Sequence, residues 1–189
     1  MSHFDSYSWR AILHQEIGKT IAQRRLGPGI ILIGWVHLAT FTACQAIVDS
    51  AVASDPRHAG LWALDILGSL IALRLIAGKG WYRDTPAAGL LVRVWGTVLV
   101  LAFSLATLNA LSGWNHDWFK PPWATLSSFG FAMMAWLFDL RFLLFAVQMY
   151  ATGLLMIALP NWNYAIFGVS WWFALQILGL LLWRASRRS

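Results

Sequence analysis

Positions 29–48 hold 20 consecutive residues without a charged side chain before Asp49, and long apolar runs recur to the end of the chain. About 20 mostly apolar residues are what an α-helix needs to cross a hydrocarbon core of about 30 Å, since each residue advances it by about 1.5 Å. In lipid the backbone must satisfy its own hydrogen bonds. A chain made of such runs is therefore expected to be all-α, a polytopic bundle of transmembrane helices.

Composition points the same way, with 59% hydrophobic and 12% charged residues in 189, against about 25% charged for an ordinary soluble domain. So few charges cannot cover a water-soluble surface, and the apolar content excludes disorder. One cysteine, Cys44, leaves no disulfide framework and no Cys-rich metal site. The net charge of +6 does not signal nucleic acid, because the basic residues fall in short groups between apolar runs instead of on one soluble face.

Six spans are expected, at 29–48, 60–79, 87–109, 123–140, 142–159 and 164–183, within a transmembrane domain at 28–184. Residues 1–27 form an amino-terminal segment, and 185–189 a basic tail. The fourth and fifth spans divide a 37-residue stretch, 123–159, that has no proline and is interrupted only by Asp139 and Arg141. A single helix of that length would extend about 55 Å, far beyond the bilayer core. Asp139-Leu140-Arg141 is the expected turn.

The basic residues test that division. With six spans, Arg10, Lys19, Arg24, Arg25, Arg74, Lys79, Arg83, Arg141, Arg184, Arg187 and Arg188 lie on one side, and Arg57 and Lys120 on the other. By the positive-inside rule the eleven are cytoplasmic, as are both termini, and the expected location is a bacterial-type plasma membrane. Of the 13 Trp residues, Trp62, Trp81, Trp114, Trp118, Trp123, Trp162 and Trp183 fall at span ends, where an aromatic belt belongs. Trp35, Trp95, Trp136, Trp171 and Trp172 lie deeper.

Residues 6–26 contain too many charges for a signal peptide. Trp9, Leu13, Ile17 and Ile21 recur every four residues, the pattern of an amphipathic helix lying in the headgroup layer.

Polar side chains inside spans are the best functional pointers, because each must be paired or hydrated. Counted from the cytoplasmic span ends at about 1.5 Å per residue, His37, Arg74, Arg93, Gln148 and Gln176 all fall at depths of roughly 8 to 12 Å. Converging on one space, they would form a ligand-binding vestibule open to the cytoplasm, its guanidiniums matched to carboxylate or phosphate. Bland roles compete: the arginines can snorkel, the glutamines can tie helices together, and a lone His is commonly a packing residue. Nearer the outer face lie Gln45, Asp49, Asp65 and Asn109, with His58 and His116 above them; Asp65 and Asn109 are candidates for a proton or ion site.

No phosphate loop, zinc motif or nucleophile elbow is present, and no cofactor or metal is implied. No second His lies within a span to form a haem pair with His37. Ser127, Ser128, Gly130, Ala39, Ala43, Gly68, Gly89, Gly96 and Gly168 are expected to let helices pack closely. Three functions fit: binding or translocation of a small anionic or amphiphilic solute; a non-catalytic accessory subunit of a larger membrane complex; or an enzyme acting on a lipid through His37 or Asp65. Membrane lipids, a small-molecule ligand and other membrane subunits are the expected partners.

Overall fold

The computed structural model describes residues 6–24, 26–50, 57–112 and 116–187. Seven α-helices and two single 3-10 turns account for nearly all of them, and the described residues contain no strand. The helices are α1 (Ser6–Arg24), α2 (Leu26–Ser50), α3 (Arg57–Ile76), α4 (Pro86–Ser112), α5 (His116–Leu137), α6 (Phe142–Ala158) and α7 (Asn163–Ser186). The side chains of Arg10, Asp49, Arg57, His58, Trp114, His116, Trp118 and Arg188 lie outside the described set, as does residue 25.

Three helical stretches are long and apolar enough to cross a membrane: Leu26–Ile47, Pro86–Asn109 and Pro160–Ser186. The α6 helix is apolar but only 17 residues long. Asp65 and Arg74 interrupt α3, while α5 begins with a polar turn and runs through Pro121 and Pro122. Between Leu137 and Phe142 the chain reverses. Asp139 shapes that reversal, its Oδ1 accepting a 2.9 Å hydrogen bond from the Arg141 amide.

The helices pack side by side in the order α3, α2, α7, α6, α5, α4. Trp171 of α7 stands in the middle, its ring 5.5 Å from Trp95 of α4 and 5.4 Å from Phe131 of α5. Antiparallel α2 and α7 make the closest seam. A Cβ on Gly27 would come within 2.7 Å of the Gly179 carbonyl oxygen, and one on Gly179 within 2.5 Å of Ile31. Only glycine permits that backbone approach. At the opposite end of the seam, Phe41 fills the space beside Gly168.

The α1 helix lies across one end of this bundle, against α4, α7 and α2. Leu13 is buried against Ala87, Met134 and Phe138, Ile17 packs on the same group, and Ile21 packs beside Ala77 and Ala88. Most of the apolar stripe expected to enter the headgroup layer is thus spent on the protein, and of its four residues only Trp9 is exposed. Polar bonds fix the same placement. Glu16 accepts the Ala87 amide, supplementing the Thr85 hydroxyl that accepts the Ala88 amide and caps α4. Arg24 grips Asp84 through two bonds of 2.6 and 2.9 Å. That carboxylate holds the guanidinium above its ordinary pKa by hydrogen bonding and charge. Gly78 and Gly80, both at positive φ, bend the chain between α3 and Asp84.

Candidate functional site

The expected vestibule residues take separate partners. Gln148 donates to the Ser170 carbonyl and hydroxyl oxygens at 2.8 and 3.0 Å, joining α6 to α7; Thr152 completes the cluster 2.6 Å from the Ser170 hydroxyl. Gln176 donates to the Ile31 carbonyl at 3.0 Å across the α2–α7 seam. These are interhelical ties. Arg74 and Arg93 are exposed. Among the five, His37 alone meets another ionisable side chain inside the bundle.

That partner is Asp65. The two residues occupy equivalent levels on an antiparallel pair: His37 is eleven residues beyond the first residue of α2, Leu26, and Asp65 eleven before the last of α3, Ile76. At 1.5 Å per residue both lie about 16 Å from the ends of their helices that meet α1. The expectation had separated them into inner and outer layers. Starting α2 at Gly29 and reading Asp65 from the opposite end of its helix concealed their common level.

His37 Nδ1 and Asp65 Oδ1 are 3.0 Å apart, with side-chain exposures of 19% and 10%. The approach is off the in-line geometry of a hydrogen bond, and neither atom has another partner. Such unsatisfied polar atoms are costly in a region of low dielectric. One helical turn from Asp65, the buried Ser69 hydroxyl is also without a partner. An i, i+4 spacing puts Ser69 on the Asp65 side of α3 and marks a residue that the sequence reading missed.

Aromatic rings enclose the imidazole. Trp171 lies 5.6 Å from it between centroids and Phe41 6.2 Å. Phe41 continues into a buried cluster with Cys44, Tyr164 and Phe167, against which Trp62 and Trp123 pack. A site from which water is excluded strengthens electrostatic interactions within it. Chemically, the arrangement can hold one proton between a base and a carboxylate within an apolar sleeve.

The outer polar residues serve other contacts. Gln45 bridges the Asn161 carbonyl and the Ala165 amide at 2.7 and 3.3 Å, fastening α2 to the start of α7. Lys120, expected in a loop, is buried within α5, its ammonium 4.6 Å from the Tyr164 ring centre. Asn109 is buried on α4 with an unpartnered amide oxygen, whereas Asp65 faces His37. Among the described residues, no group of three His, Cys, Asp or Glu side chains could hold a metal ion. Comparison with protein families, characterised proteins and solved structures finds no match to this chain.

Proposed function

We propose that this chain is a six-span membrane protein, both termini cytoplasmic, that binds or translocates a small anionic or amphiphilic solute together with a proton held at His37 and Asp65. The observation that carries the reading is the 3.0 Å approach of two otherwise unpartnered ionisable groups at mid-depth in the bundle. Ionisable side chains at that depth are expensive, and proton relays are a recurrent reason for them. Anionic cargo fits the same chemistry. A proton travelling with an anion cancels the charge that would otherwise have to enter a medium of low dielectric. In this reading Asp65 is the proton carrier, His37 its exchange partner, and Ser69 the next hydroxyl along α3.

The test is uptake by the purified full chain in liposomes containing a pH-sensitive dye, with short- and medium-chain carboxylates as probes. External acid should drive uptake with concurrent acidification of the lumen. Asp65→Asn and His37→Gln should each reduce proton movement to the level of empty vesicles. Carboxylate uptake that moves no proton, or proton movement unchanged in both variants, would overturn the proposal.

A further inference from the structure

We infer that α4 is a docking surface for a transmembrane helix of another protein, and that this helix carries a carboxylate level with Arg93. The inference is independent of the proton pair, which lies on α2 and α3.

Six exposed residues, Arg93, Thr97, Val100, Ser104, Thr107 and Leu111, follow one another along α4 at spacings of four, three, four, three and four. Residues at that spacing form one straight stripe, the strip of surface that a second helix covers at a shallow left-handed crossing. A shallow groove lined by Val100, Phe103, Ser104, Thr107 and Leu108 lies on the same face. Within α4's apolar stretch only 11% of the residues are buried, against 33% for the comparable stretches of α2 and α7.

The chemistry of this face separates it from an ordinary lipid-facing surface. The outward side of α6 shows Leu143, Leu144, Val147, Leu154, Leu155 and Ile157, with the Tyr150 phenol as its one polar side chain in that set. The α4 seam instead carries hydroxyls at Thr97, Ser104 and Thr107, each donating to the carbonyl four residues earlier at 2.9 Å. Ser and Thr are enriched where membrane helices meet. Arg93 lies seven residues after Pro86, about 10 Å along the helix. Among the described residues no carboxylate pairs with it.

Charge selects the occupant. A second copy related by an axis along the membrane normal would bring its own Arg93 to the same level, a like-charge contact that disfavours the pair. A lipid phosphate could neutralise Arg93 but would not reach Thr107, about 21 Å further along α4. A foreign helix bearing Asp or Glu level with Arg93 neutralises the guanidinium and is long enough to cover the stripe to Leu111.

The test is photo-cross-linking of the full chain in the cells that make it, with a benzophenone amino acid at Ser104 or, for comparison, at Val147. Ser104 should give a discrete adduct whose cross-linked peptide, read by mass spectrometry, belongs to an apolar segment containing Asp or Glu; Val147 should not. Arg93→Glu should reduce the adduct about tenfold, and exchange of the partner's carboxylate for Lys should restore it. Adducts with this chain's own peptides, adducts with lipid alone, equal yields at both positions, or no loss on Arg93→Glu would each overturn the inference.

Discussion

The α2–α7 seam and the α4 flank are both built from long apolar helices, yet they are held in opposite ways. Along the seam the backbones approach so closely at Gly27 and Gly179 that no side chain fits between them. Gln176 and Gln45 close it with bonds to the opposite main chain. Along α4, by contrast, Gly96 has nothing within 4 Å of the space a Cβ would take, and the hydroxyls bond only to their own helix. Hydrophobicity therefore does not determine cohesion in such a molecule. Lipid is as good a solvent for Leu as another helix is, so tight association needs close packing and interhelical hydrogen bonds.

The contrast can be broken by experiment, beginning at the seam. Gly179→Leu should cost about 3 kcal/mol, the upper end for overpacking, because Ile31 and the Gly27 backbone both stand in the way. The same change at Gly96 should alter stability by less than about 0.5 kcal/mol. Denaturation of both variants in mixed micelles, followed by circular dichroism, compares the two directly; equal losses would erase the distinction between seam and flank.

Leu13→Ala comes next. Leu13 is 1% exposed and wedged between α4 and α5, so its truncation should cost about 2 kcal/mol and increase protease cleavage within α1. The size of the loss measures how much of α4's placement depends on α1. Gln176→Leu removes one interhelical hydrogen bond and should lower stability by about 1 kcal/mol in the same assay. Smallest of all is Ser104→Leu, expected to change the isolated chain's stability by less than about 0.5 kcal/mol. A loss as large as that of Gly179→Leu would mean that the α4 face is already engaged within the chain.

Much of the helical composition could be read directly from the apolar runs, since a residue in lipid has no backbone partner except its own helix. The residues of interest were also visible: His37, Asp65, Arg93, Gln148 and Gln176 stand out as polar groups in apolar surroundings. Their relationships were not visible. Depth counting puts His37 and Asp65 in different layers and leaves Arg93 either turned inward or snorkelling; in the structure the first two meet and Arg93 is exposed. The packing glycines were only partly legible. Gly168 was anticipated, while Gly27 read as punctuation before a span and Gly34 and Gly179 gave no signal. Trp171 and Trp136 look alike in sequence, yet one is central and the other 66% exposed.

One physical reason underlies these failures. In a soluble helix the polar face identifies the outside and so fixes the rotation about the axis, but a membrane helix that is apolar all round carries no such mark. Length and hydropathy along the chain are enough to make it helical and to run apolar stretches long enough to cross a bilayer through it. That His37 faces Asp65, that α2 and α7 touch through glycine, and that the hydroxyls of α4 face outward follow instead from how the helices pack. Those outcomes depend on helix rotation and register, which are set by packing between segments distant in the chain.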